Sequence, residues 1–120
     1  MPYMLLIIEP PGQRRTRTVA EGHEVYERMV RFGQDLHSRG LLIATESLKS
    51  LSDAARVEVR GGQPRVLDGP FAEAKEMVGG FFMIDCKTRD EAIAIAADCP
   101  AAEWCTVEVR ALAPCYEDAA

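Results

Sequence analysis

Six consecutive apolar residues, Tyr3 to Ile8, open the hydrophobic pattern. A short run that is apolar at every position, isoleucine-rich and stopped by Pro10, Pro11 and Gly12, predicts a central strand covered on both faces. Gln13 to Arg17 has no apolar period and predicts a loop. Its arginines, at 14, 15 and 17, lack aromatic neighbours, so a solvated turn is the plain reading and a phosphate contact the sharper one.

Thr18 and Glu21 then stand at capping-box spacing, which predicts a helix start. Val25, Met29, Phe32 and Leu36 follow at i, i+4, i+7 and i+11, one apolar stripe, while Glu24, Glu27, Arg28, Arg31 and Asp35 mostly turn outward. Arg39 and Gly40 close the helix. Leu41 to Leu48 predicts a second strand, irregular at Thr45 and Glu46.

Arg56 to Arg60 alternates strictly, Gly61-Gly62 supplies a two-residue turn, and Arg65 to Leu67 predicts a short return strand. Asp68 to Phe71 punctuates the chain, Ala72 to Met77 predicts a brief helical turn, and Gly79-Gly80 lead into a second central strand, Phe81 to Ile84. Thr88 and Glu91 repeat the capping-box spacing ahead of an Ala- and Ile-rich helix that Pro100 ends. Trp104 to Leu112 predicts a last strand with one-faced alternation, and residues 113–120 a loose tail.

Strand, helix, strand, hairpin, strand, helix, strand is the order of a ferredoxin-like split βαβ sandwich of the α+β class with an inserted β-hairpin. Right-handed crossovers place both helices on one side of its sheet. The two central strands are nonetheless apolar on both faces. A second copy packed against the free face, burying on the order of 800 Å² per partner, predicts a homodimer; the hairpin folded back as a lid is the single-chain alternative.

Length and composition narrow the function. At 120 residues, 48% hydrophobic and 28% charged, the chain suits one domain spanning residues 1–120 and excludes collagen-like and low-complexity classes. Fourteen Lys and Arg against nineteen Asp and Glu give a net charge of -5, which argues against nucleic acid. Neither a signal peptide nor a membrane span is readable, so a soluble, cytoplasmic protein is expected. The four cysteines form no Cys-x-x-Cys, and no metal or cofactor is expected.

Asp68 is the leading candidate for chemistry, because a carboxylate at a strand end beside a Gly-Pro turn is held rigidly and partly out of water. Its plain alternative is a turn cap accepting backbone amides. Glu73, Lys75 and Glu76 cluster within four positions, either as a ligand-binding charge group or as solvent-facing ion pairs. His23 in the first helical turn is a proton donor or ligand contact, or simply a surface histidine. Phe71, Phe81, Phe82 and Trp104 are candidate pocket walls as well as core residues. Tyr3 and Tyr26 offer hydroxyls near the sheet, and Glu46 a carboxylate.

Asp68-Gly69-Pro70-Phe71-Ala72-Glu73-Ala74-Lys75-Glu76, with Gly79-Gly80-Phe81, resembles the DGPF branch of the YCII-related family. Tyr3-Met4-Leu5-Leu6-Ile7, Phe32-Gly33 with Leu36 and Gly40, Cys99-Pro100-Ala101-Ala102 and Val107-Glu108-Val109-Arg110 extend the likeness over nearly the whole chain. The resemblance implies a dimeric α+β barrel of ferredoxin-like protomers. It also implies two functions: proton transfer by a His-Asp pair with the His on the first helix, or regulation beside an extracytoplasmic-function sigma factor. Where that His is expected stands Met29, or Arg28 with the register shifted by one, and the role carries over to neither His23 nor His37. The resulting expectation is a small-ligand-binding or regulatory module; the alternative is a cofactor-free lyase or isomerase using Asp68.

Overall fold

Successive side chains of β1 (Pro2–Glu9) alternate between a buried and a half-buried environment, so Tyr3, Leu5, Ile7 and Glu9 share the covered face. A computed structural model describes residues 1–117. After β1 come α1 (Val19–Ser38), β2 (Leu42–Ser47), the hairpin β3 (Ala55–Arg60) and β4 (Gln63–Asp68), then β5 (Met77–Asp85), α2 (Arg89–Asp98) and β6 (Thr106–Ala111). The main sheet has the order β2-β5-β1-β6 with every neighbouring pair antiparallel. β5 thus lies between β1 and β2, and β1 between β5 and β6: two split βαβ units, the ferredoxin-like α+β arrangement.

Both helices feed one core. Phe32 and Leu36 of α1 and Ala92, Ile95 and Ala96 of α2 meet Tyr3, Leu5 and Ile7 of β1 and Phe82 and Ile84 of β5. Full burial of a side chain such as Leu5, Leu36 or Ile84 stabilises the fold by roughly 1.5–3 kcal/mol. Phe32 and Phe82 meet edge to face with centroids 5.1 Å apart, and Gly33 lets α1 approach, since a Cβ there would stand 3.3 Å from the Phe82 ring.

The start of α1 matches its capping box: the Thr18 hydroxyl accepts from Glu21 N at 3.1 Å and Thr18 N donates to the Glu21 carboxylate at 2.8 Å. The box before α2 closes differently. Thr88 accepts from Glu91 N, but the Glu91 carboxylate takes the amide of Lys87 at 3.0 Å.

Several local expectations are corrected. Gln13–Thr16 is a 3-10 turn rather than a loop, and Arg14 within it is tied down rather than solvated. The irregularity of β2 lies between Leu42 and Ala44, not at Thr45 and Glu46. The return strand of the hairpin spans Gln63–Asp68, longer than Arg65 to Leu67, because Pro64 sits opposite Val59 in a two-stranded ribbon that asks no amide of it on its outer edge. No helical turn forms at 72–77: Ala74 N donates to Phe71 O in a single turn, and Met77 already pairs with Glu9. Gly79 and Gly80 lie inside β5 instead of preceding it. Pro100, which ends the second helix, opens a 3-10 turn of its own, Pro100–Glu103.

The second face of the sheet carries Met4, Leu6 and Ile8 of β1 with Phe81 and Met83 of β5, all half-buried. The β3–β4 hairpin is exposed along its whole length, including Val57, Val59, Val66 and Leu67. Residues 113–117 are exposed and outside any helix or strand; the rest of the expected tail, 118–120, lies outside the described residues.

Candidate functional site

Extending the period of two along β1 by one step, from Ile7, lands on Glu9. Its carboxylate is thereby carried onto the covered face, where it is only 6% exposed. A buried carboxylate is costly unless paired. Arg14, brought back by the 3-10 turn, donates from Nε to Glu9 Oε1 at 2.6 Å, from Nη1 to the carbonyl of Leu48 at 2.8 Å and from Nη2 to the carbonyl of Gly79 at 3.2 Å. One guanidinium so joins the end of β1, the segment after β2 and the start of β5.

The pair fits only because position 79 has no side chain. A Cβ there would stand 2.5 Å from Glu9 Oε2 and 2.9 Å from Arg14 Nη2. Gly80 is equally constrained from the other side, its absent Cβ falling 2.8 Å from the carbonyl of Glu46 on β2. The two glycines therefore let a charged pair and an edge strand close onto β5.

Beside this pair, between the N-terminal half of α1 and the sheet, opens a cleft of about 270 Å³. Ile7, Val25, Met29, Phe82, Ala101 and Trp104 supply its apolar walls, and Glu9, Arg14, Arg17, Tyr26, Thr45 and Ser47 its polar groups. Its volume is near the lower end of the ~300–1,000 Å³ usual for small-molecule sites. Trp104 is fixed by three contacts. Gln13 Nε2 donates to its carbonyl at 2.7 Å, and the guanidinium groups of Arg17 and Arg28 stand 5.8 and 5.2 Å from its indole ring. Arg28 is further held by Glu103 at 2.6 Å. A shallower extension runs along α1 and β2 past Val30, Gly33 and Gln34.

Seven of the residues singled out from sequence lie elsewhere. Asp68 ends β4, exposed, with no side-chain hydrogen bond among the described residues. The residues after it are architectural: Gly69 N donates to Ala54 O at 2.7 Å, a Cβ on Gly69 would strike the Leu51 carbonyl, and Phe71 is buried under Arg56, 3.8 Å from its ring centroid. Glu73 meets Arg56 at 3.5 Å, while Lys75 and Glu76 are exposed. His23 lies exposed on α1, and Tyr3 is packed in the core toward the opposite end of β1. None of these seven lines the cleft. Tyr26, Glu46, Phe81, Phe82 and Trp104 do, as does Met29, which with Arg28 is one of the two positions at which the resemblance would place a histidine.

Glu9 has no part in the sequence reading, Arg14 only that of a solvated turn or phosphate contact, and Gly79 only a place in the segment that carries the resemblance. The period of two through Tyr3, Leu5 and Ile7 is the signal that finds Glu9; Arg14 carries none beyond its place among three arginines.

Three thiols are held in the protonated form by burial. Burial pushes Cys99 up to about 11, and burial likewise raises Cys86 and Cys105, the latter with help from the Glu9 carboxylate.

Against known proteins, the model of the YCII-related domain matches residues 1–115. An uncharacterised protein of Rhizobium meliloti (strain 1021) is 47% identical over 62 residues, which is half of this chain and half of that one. The aligned stretch therefore spans about half the length of that curated relative.

Proposed function

The chain belongs to the YCII-related domain family, and from that premise we propose that it is a small-ligand-binding protein whose site is the cleft between α1 and the sheet. The carrying observation is the open, mostly apolar space beside an ion pair that is already satisfied. Arg14 donates from Nε, Nη1 and Nη2 to Glu9 and two carbonyls, so the pair forms part of the cleft wall and leaves the cavity to a ligand. A thermal-shift screen of metabolites on the wild type and on Val25→Phe tests the reading, since the larger ring fills the cavity from its α1 wall. Compounds that raise Tm in the wild type are expected to fail with the variant. Binders unaffected by Val25→Phe place the site elsewhere and overturn the proposal.

The alternative, proton transfer by Asp68 on a small organic substrate, makes the opposite demand: Asp68→Asn must abolish turnover, whereas binding in the cleft is indifferent to it. The same resemblance supports a regulatory role beside an extracytoplasmic-function sigma factor, for which co-purification from cells of the source organism is the test.

We also propose that the protein works as a homodimer through the second sheet face. Half-buried Met4, Leu6, Ile8, Phe81 and Met83 form an apolar surface of the kind two copies cover together. Sedimentation at micromolar concentration should give a dimer, and Leu6→Arg a monomer.

A further inference from the structure

Resting on the cleft reading above, we infer that the ligand is a small organic carboxylate whose anionic end meets Arg17 and whose apolar body lies on Val25 and Met29. Of the charged side chains in the cleft wall, Glu9 and Arg14 neutralise each other at 2.6 Å. Glu46 pairs in register with Phe81, which is itself opposite Leu6, so strand alternation turns its carboxylate to the other face of the sheet and leaves only its backbone in the wall.

Arg17 is left over. It is half-buried in the wall, and among the described residues no carboxylate approaches within 4.0 Å of its guanidinium, nor does the group donate a hydrogen bond. Its nearest aromatic partner in the wall is the indole of Trp104, 5.8 Å from the guanidinium carbon to the ring centroid. With no hydrogen bond made and no carboxylate within 4.0 Å among the described residues, the N–H fork of Arg17 is unspent, and that fork matches a carboxylate. An ammonium head finds no such partner, because the one carboxylate in the wall is already occupied by Arg14.

Trp104 is the single tryptophan of the chain, so its fluorescence reports this wall directly. Hexanoate, hexanamide and hexylammonium share one apolar tail and differ in charge; each is titrated at neutral pH into wild type, Arg17→Gln and Arg15→Gln. Hexanoate is expected to bind about tenfold more tightly than hexanamide, a difference of ~1.4 kcal/mol. Arg17→Gln removes that tenfold preference and leaves hexanamide binding within about twofold, whereas Arg15→Gln, a neighbouring charge outside the wall, preserves it. Equal binding of hexanoate and hexanamide, or preference for hexylammonium, overturns the carboxylate inference and leaves the cleft reading standing. If none of the three perturbs Trp104, the cleft reading falls and this inference with it.

Discussion

Glu9 and Arg14 meet at 2.6 Å directly over Gly79, in space that any side chain at position 79 would occupy. The contact is local in sequence and long-range in effect, because the same guanidinium also takes the carbonyls of Leu48 and Gly79. This side of the cleft wall is therefore set by a clamp across three segments rather than by packing alone.

Removing one partner of a buried ion pair leaves the other as an uncompensated charge, which is costlier than the net worth of the pair. Arg14→Met is expected to lower the unfolding free energy by about 2–3 kcal/mol, discounted because the arginine side chain is 35% exposed. Glu9→Gln combined with Arg14→Met should recover part of that loss. Urea unfolding of the two variants checks the order; a double variant weaker than the single would refute the clamp.

Two glycines separate steric need from backbone freedom. Gly79→Ala forces Glu9 and Arg14 apart, and a loss of about 1–3 kcal/mol is expected, with altered ligand affinity in the cleft. Gly22 sits within α1 where an added Cβ meets nothing within 4 Å, so Gly22→Ala should stabilise by roughly 0.5–1 kcal/mol. Thermal melts of both variants make the comparison.

The fold was legible because its signals are local. Two threonine-led caps, the stripe through Val25, Met29, Phe32 and Leu36, and the uninterrupted apolar runs of β1 and β5 each depend on neighbours within a few positions. The central placement of β1 and β5 followed from their having no polar face. The site was not legible in the same way. Glu9, Arg14, Thr45, Gly79 and Trp104 converge from five separate stretches, and only the fold brings them together. The Asp-Gly-Pro-Phe segment drew attention as a motif, yet Gly69 and Phe71 serve packing: one lies against the Leu51 carbonyl and the other under Arg56. A rigid, unusual turn looks the same in sequence whether it holds a reacting group or a hairpin.

Thiol chemistry should divide the cysteines by burial. Cys86 and Cys99 are buried and Cys115 is exposed, and burial lifts Cys99 to about 11 and raises Cys86. Only the thiolate attacks an alkylating reagent. At pH 8 iodoacetamide is expected to modify Cys115 first, with Cys86 and Cys99 reacting only after denaturant is added; peptide mass mapping over time gives the order. Rapid labelling of Cys99 in the native protein would contradict its placement.

The start of α1 gives the stability a defined acid dependence. The Glu21 carboxylate accepts the amide of Thr18, which, with the Thr18 side chain and nearby Arg17, holds it below its ordinary value of 4.5. A carboxyl group held down in the folded protein binds its proton more readily once unfolded, so folding is favoured wherever the group is ionised in both states. That contribution is complete above about pH 4.5 and is lost as pH falls through the lower folded value. Glu21→Gln should therefore be less stable than wild type at neutral pH, with the two curves converging in acid. Thr18→Ala removes the hydroxyl acceptor of Glu21 N and should cost about 1 kcal/mol at neutral pH. Denaturant unfolding of the three proteins from neutral pH to about pH 3 tests both effects. A wild-type curve that stays parallel to that of Glu21→Gln into acid would show that the carboxylate adds nothing beyond what the amide supplies.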